Sequence, residues 1–182
     1  MNQIGFHFVD LVYNESQVIQ HLALLHATKP ACITILGGSQ YEQALAFAKR
    51  AKSAFPEMRV IFRHFINKSH PSDQHTFEPQ AEDTGRHTRM SAEAWWERVG
   101  KLYIGTALTI LPDNESTMGD YTPYSLWMSK VLELAGAAGV GIAYGRFPAF
   151  HPAKGKEQHL DAMLKSSFKF GRLHTFSPNL YW

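Results

Sequence analysis

The segment Ala107–Ser116, ALTILPDNES, sets the interpretation of the whole sequence. Its first half is apolar and β-branched, which is typical of a buried strand. Pro112 then removes a backbone donor, so a central strand should end there. Asp113, Asn114 and Glu115 follow at once. Because ligands bind at the carboxyl ends of the strands in α/β proteins, these three side chains fall where a functional site is expected.

The composition is typical of one globular domain covering residues 1–182, with 45% hydrophobic and 19% charged residues. The formal charge is +2, and lysine and arginine are spread along the chain, which predicts neither a nucleic-acid nor a membrane partner. No apolar run reaches the ~20 residues that span a bilayer, and the first residues do not form a signal sequence. We therefore expect a cytoplasmic protein, or a secreted one if the N-terminus is incomplete.

The sequence carries no cofactor signature, and we expect no cofactor. Gly37-Gly38 is too short to be a dinucleotide or phosphate-binding loop. Cys32 is the one cysteine and lies in an apolar run, so we expect a buried core thiol. Residues 66–90 are polar and without periodicity, which predicts a mobile loop whose histidines match no zinc pattern.

Strands alternate with helices along the sequence. Six apolar segments predict strands at Ile4–Val9, Ala31–Leu36, Met58–Phe65, Leu108–Leu111, Val140–Tyr144 and Arg172–Phe176. Helix starts are predicted at Asn14, at the capping box of Ser39 and Glu42, at Ser91 and at Thr122-Pro123. The unit recurs about every 30 residues, as in a (β/α)8 barrel of about 250 residues. The fold class is therefore α/β, an incomplete (β/α)8 TIM barrel whose parallel strands one to six alternate with helices; an open doubly wound sheet is the rival.

Two amphipathic patterns predict which side chains face the core. In the third helix the apolar stripe is Trp95, Val99 and Leu102, and since Trp95 and Trp96 are consecutive we expect one of the two tryptophans at the surface. In the last helix Leu160, Met163, Leu164 and Phe168 share one side.

On Asn114-Glu115 at the end of strand four, the chain resembles the glycoside hydrolases of clan A, the (β/α)8-barrel retaining glycosidases. In that family the strand-four glutamate is the acid/base and the preceding asparagine binds the sugar 2-hydroxyl. Ser116 and Asp113 depart from the family, which often has proline after the glutamate and an aromatic or small residue before the asparagine. The resemblance implies Glu115 as the catalytic acid/base. It implies further sugar-binding positions at Asn114, His7, Arg63, Asn179 and Tyr181, the last two from a loose match to a His-x-Tyr pattern after strand six. Two more candidates come from residue type and position: His64 as a hydrogen-bond partner for a sugar, and Tyr144, near a predicted strand end, as an aromatic face for stacking.

Glycosidic cleavage needs an acid at the leaving oxygen and, in retaining enzymes, a nucleophilic carboxylate about 5 Å away. Burial and the neighbouring Asp113 would keep a proton on Glu115 near neutral pH. The resemblance implies a nucleophile at the end of a seventh strand, which this sequence does not reach. We therefore expect the N-terminal six units of a longer barrel, and the apolar ending Leu180-Tyr181-Trp182 fits a fragment.

Two other functions fit the same residues. One is a carbohydrate-binding barrel without turnover, and the other is a metal-dependent barrel hydrolase using His7, Asp10, His64 and Glu115. The expected partner is a carbohydrate, and the sequence does not define the oligomeric state. Simpler roles also stand: Glu115 as a solvated loop residue, Asn114 in an Asx turn, Asp113 paired with Arg63, and the strand histidines as satisfied core residues.

Overall fold

The computed structural model describes residues 5–8, 13–38, 40–66, 91–112, 121–145, 155 and 157–176. Within these ranges, strands and helices alternate as predicted. The strands are β1 (Gly5–Phe8), β2 (Cys32–Gly38), β3 (Arg59–Ile66), β4 (Thr109–Leu111), β5 (Gly141–Tyr144) and β6 (Thr175–Phe176). The helices are α1 (Glu15–Thr28), α2 (Tyr41–Ala54), α3 (Ala92–Arg98), α4 (Thr122–Ala137) and α5 (Asp161–Lys169), with 3₁₀ turns at Gly100–Tyr103 and Glu157–Leu160. None of these helices combines the length and apolarity needed to cross a bilayer.

The six strands form one parallel sheet in the order β1-β2-β3-β4-β5-β6, and each strand pairs with the next along the chain. An open doubly wound sheet reverses its strand order at a switch point, and no reversal occurs among the six described strands. The sheet instead curls into a half-barrel, consistent with an incomplete barrel. The predicted parallel α/β class is therefore confirmed.

Local capping chemistry explains where three helices begin. The Asn14 and Ser91 side chains each accept a hydrogen bond from the backbone N–H three residues ahead, at 2.9 and 3.1 Å. Pro123 lies in the first turn of α4, where its missing N–H costs nothing. The predicted capping residue Ser39 lies outside the described residues. The residue that precedes α2 in the structure is Gln40, which makes no side-chain cap bond.

The main core lies between the sheet and the helices. The helix-facing strand residues are almost completely buried, as are their helix partners. From the strands these are Ile33, Ile35, Val60, Phe62, Ile110 and Ile142, and from the helices Leu25, Phe47, Trp95, Met128 and Leu132. Burying one such side chain contributes about 1.5–3 kcal/mol, so this layer supplies most of the driving force for folding.

The structure corrects the expected stripe of the third helix. Leu102 is 61% exposed, because α3 ends at Arg98 and the following 3₁₀ turn has three residues per turn, which changes the facing of later side chains. Trp95 and Trp96 are both buried, where one was expected at the surface. The Trp96 ring fits because Gly100 has no side chain: a Cβ there would lie 2.1 Å from the ring.

The last helix buries most of the predicted face, because Leu160 and Met163 are buried and Leu164 packs against the core; Phe168 is the exception. Phe168 is 78% exposed, whereas Ser166 and Ser167 are buried with Met163. Ser166 lies against α4, where its hydroxyl is 2.7 Å from that of Ser129. The small hydroxyl side chains thus occupy part of the α4–α5 contact, and Phe168 is turned outward.

A buried histidine precedes the last strand. The His174 side chain is 6% exposed and its ring lies 5.5 Å from that of Phe170. Its Nδ1 accepts the backbone N–H of Ile142 at 3.2 Å. Burial lowers the pKa of His174 from 6.5 to about 4. The folded protein therefore holds this ring neutral at pH values where the unfolded chain protonates it.

We expect His174→Asn to remove part of the acid sensitivity of folding. Between pH 6.5 and 4 the unfolded state binds more protons at this position, so the free energy of unfolding falls as pH falls, by about 2 kcal/mol from this group. Asparagine supplies an acceptor and does not titrate. Urea unfolding at pH 7, 5.5 and 4.5 measures the difference, with His26→Asn on the exposed side of α1 as the control. The prediction is wrong if the free energy of unfolding changes with pH by the same amount in His174→Asn, in His26→Asn and in the wild type.

Candidate functional site

The carboxyl ends of the strands lie at one edge, because every strand pair is parallel. β4 lies inside the sheet, between β3 and β5, and all three of its residues are buried. It ends at Leu111, and Pro112 follows, also buried, as the sequence predicted. Asn114 and Glu115 come next in the sequence but lie outside the described residues.

The register of the strands defines two faces of the sheet. Ile61, Leu111 and Ala143 form a small buried cluster that is separate from the helix-facing core. They lie on the inner face of the half-barrel, since strand side chains alternate between the two faces. His7 pairs with Thr34, and Thr34 with Ile61, so these three share one inner row.

His7 and Arg63, two of the predicted sugar-binding residues, share this inner face. His7 is exposed and Arg63 partly buried. Arg63 pairs with Leu36 on one side and with Leu111, the last residue of β4, on the other. Neighbouring strands are about 4.8 Å apart, and Arg63 lies two strands away from His7 and two residues further along, so the backbones of His7 and Arg63 are about 12 Å apart. Two long side chains at that separation can reach one bound sugar. Arg63 therefore lies beside the strand that leads to Asn114-Glu115.

His64 lies on the opposite, helix-facing side and is 3% exposed. Its Nδ1 lies 2.6 Å from the Tyr103 hydroxyl and 3.2 Å from the Tyr41 hydroxyl, and the two hydroxyls are 2.7 Å apart. Burial raises the pKa of both tyrosines, so both remain protonated donors. The three groups connect the start of α2 and the end of the 3₁₀ turn to β3. The structure thus does not bring His64 to the face that carries His7 and Arg63.

Tyr144 also lies on the helix-facing side. It is 3% exposed, and its ring packs edge-on against Phe176 with ring centroids 5.6 Å apart. Burial raises the pKa of the Tyr144 hydroxyl, and a hydrogen bond with the Ser167 side chain of α5 partly opposes this rise. Tyr144 therefore packs α5 against β5 and β6. Asn179 and Tyr181, the remaining predicted sugar ligands, lie outside the described residues.

The inner face includes residues that sequence reasoning did not select. Thr34 pairs with His7 and lies in the same row. Because side chains alternate between the two faces of a strand, aligning the first two predicted strands would have placed Thr34 on the face of His7. Cys32 also lies on this face, one row nearer the amino ends, and is only partly buried, so the prediction of a buried core thiol was wrong. Burial raises the pKa of Cys32, and the Arg59 guanidinium partly opposes this rise.

The proposed metal site does not assemble from its two described histidines. His7 is on the inner face and His64 is enclosed with two tyrosines on the outer face, so one ion cannot contact both. Within the part of the chain that the structure describes, no group of three metal-ligating side chains comes together. Asp10 and Glu115 lie outside that part.

The strand order and the curl of the sheet define an α/β protein with six parallel strands in a half-barrel. No protein-family model matches the chain, and no curated protein matches it with significance. Any function is therefore inferred from the geometry of the inner face and the sequence after β4.

Proposed function

We propose that this chain is a glycoside hydrolase-like protein of the retaining, two-carboxylate type, acting on a polysaccharide or glycoside. The observation that supports the proposal is that β4, a buried strand inside the parallel sheet, ends at Pro112, directly before Asn114-Glu115. Glu115 is the general acid/base and Asn114 binds the sugar 2-hydroxyl. The half-barrel is then part of a (β/α)8 barrel.

Arg63 supplies donors on the inner face next to that strand end, and His7 lies on the same face in β1, two strands from Arg63. A guanidinium offers five N–H donors in a fixed fork, which suits the adjacent hydroxyls of a sugar ring. A cation near Glu115 would also lower its pKa, against its role as an acid. Asp113 is the residue we expect to neutralise Arg63, so that Glu115 keeps its proton.

The second carboxylate decides between hydrolysis and binding alone. None of the six described strands carries an aspartate or glutamate. In the resembling family the nucleophile stands on a seventh strand, beyond those described. A carbohydrate-binding barrel without turnover is therefore the second candidate, and it needs only the inner face and Asn114.

Arg63→Ala is expected to weaken carbohydrate binding by about 10- to 150-fold, because a charge-assisted hydrogen bond contributes about 1.5–3 kcal/mol. The matched control is Arg50→Ala. Arg50 lies on α2 and forms an exposed ion pair with Glu15 at 2.8 Å, away from the inner face. Calorimetric titration with gluco-, xylo-, manno- and galacto-configured oligosaccharides measures both variants, and reducing-end assays on the same sugars detect hydrolysis. The proposal fails if no sugar binds, or if Arg63→Ala binds as well as Arg50→Ala.

A further inference from the structure

A polar groove lies at the opposite end of the sheet from the candidate site. It has a volume of about 250 Å³, and we call it the basal groove. It is bordered by the first residues of β3, β4 and β5 and by the segment before β6. The lining residues used below are Lys52, Arg59, Thr109, Gly139, Gly141 and Arg172.

Backbone contacts hold two cations at this groove. Lys52 Nζ donates to the carbonyl oxygens of Pro56 and Met58 at 2.6 and 3.0 Å, which leaves one of its three protons. The Arg59 guanidinium donates from Nη2 to the Arg172 carbonyl at 3.1 Å, linking β3 to the segment before β6. Its other N–H groups make no hydrogen bond within the described ranges. The Lys52 ammonium and the Arg59 guanidinium are therefore held in place, and each keeps N–H donors that make no hydrogen bond within the described ranges.

The positive charge of the basal groove is not neutralised by neighbouring carboxylates. In the described ranges, no carboxylate oxygen lies within 4.0 Å of the charged nitrogens of Lys52, Arg59 or Arg172. Three other cations of the described ranges form ion pairs at the surface: Arg50 with Glu15, Lys101 with Glu97 and Lys130 with Glu93. Glu57 is the one acidic residue along the groove, against three basic ones. A concave site with an excess of one sign of charge attracts an ion of the other sign.

Glycines leave the groove open on the β5 side. Gly139 has φ of +71°, and a Cβ there would meet nothing within 4 Å. At Gly141 a Cβ would lie 3.0 Å from both the Thr109 hydroxyl and the Leu173 carbonyl oxygen. A side chain at Gly141 would crowd these polar groups. The absence of side chains at Gly139 and Gly141 therefore leaves space beside the two cations.

We propose that the basal groove binds a phosphate group, either as inorganic phosphate or as part of a small sugar phosphate. Phosphate has several acceptor oxygens, which match the remaining ammonium proton of Lys52 and the planar fork of Arg59. The volume is sufficient for a phosphate with one pentose. This site is independent of the proposed glycosidase function, because it lies at the amino ends of the strands.

A ³¹P NMR titration of the whole chain with inorganic phosphate, at constant ionic strength, tests the site. We expect saturable binding that Lys52→Met and Arg59→Gln each weaken about tenfold or more. Arg50→Gln, which removes an ion-paired arginine of the same helix as Lys52, is expected to change the affinity less than twofold. Arg59→Lys keeps the charge without the fork and should give an intermediate affinity, which guards against misfolding of Arg59→Gln. The proposal is overturned if phosphate does not saturate the wild type, or if both groove variants bind like Arg50→Gln.

Ribose 5-phosphate and ribose distinguish the two sources of the phosphate group. Tighter binding of ribose 5-phosphate than of inorganic phosphate identifies a sugar phosphate, and equal affinity identifies inorganic phosphate. If ribose binds with the same affinity as ribose 5-phosphate, the groove recognises the sugar and not the anion, and the proposal is overturned.

Discussion

Replacing Glu115 by glutamine is expected to lower hydrolysis of glycosides with poor leaving groups by about 10²–10⁴-fold. Glutamine has nearly the same shape as the acid but cannot give a proton to the departing oxygen. Oligosaccharide binding should change much less, because the amide still forms hydrogen bonds. The measurement compares kcat/KM with the dissociation constant of the same sugar, in a form of the protein that shows turnover.

The dependence on the leaving group makes this result specific to an acid. A dinitrophenolate leaves without protonation, whereas an alcohol does not, so Glu115→Gln should affect bond cleavage in a dinitrophenyl glycoside far less than in an oligosaccharide. Glu97→Gln, at an exposed ion pair with Lys101, is the control and should behave as the wild type. Equal losses on both substrates would assign Glu115 a structural role. Sugar binding without turnover in any form, unaffected by Glu115→Gln, would favour the non-catalytic barrel.

Trp95→Ala is expected to lower the free energy of unfolding by about 3–5 kcal/mol. Trp95 is completely buried, and its ring packs edge-on against Trp127 with centroids 6.0 Å apart, which joins α3 to α4. Truncation removes this contact and leaves a cavity. Since domains of this size are stable by about 5–15 kcal/mol, the variant would retain only part of its stability. Urea denaturation followed by tryptophan fluorescence and circular dichroism measures the loss.

Leu102→Ala is the matched control from the same predicted stripe. Leu102 is 61% exposed, so its truncation should cost less than about 0.5 kcal/mol. Trp95→Phe should cost less than Trp95→Ala, because a ring remains and the indole N–H makes no hydrogen bond within the described ranges. Similar losses for Trp95→Ala and Leu102→Ala would mean that α3 does not pack as the structure shows.

Much of the local structure could be predicted because its signals are short-range. Asn14 and Ser91 cap helices through backbone groups three residues away, and Pro112 ends β4 by lacking a donor. The strands are rich in apolar residues because helices cover one face of the sheet. These features depend on neighbours along the chain, and for that reason the alternation of strands and helices followed from the sequence.

The predicted site was less predictable, because its members are distant in sequence. His7, Arg63, His64 and Tyr144 all lie in strands, but a shift of one residue moves a side chain to the other face. Arg63 and His64 are consecutive, so the sheet necessarily separates them. Only the register among β1, β2 and β3 shows that His7 shares a face with Arg63.

By itself, the sequence determined the order of strands and helices, the caps Asn14 and Ser91, the end of β4 and the parallel α/β class. These depend on hydrogen-bond donors and on apolar periodicity, which act within a few residues. Only the tertiary structure decided which face is concave, that both tryptophans of α3 are buried, and that Lys52 and Arg59 meet in the basal groove. Each of those results depends on side chains from separate elements coming together in space. The spacing of residues along the chain does not determine the distance between such side chains.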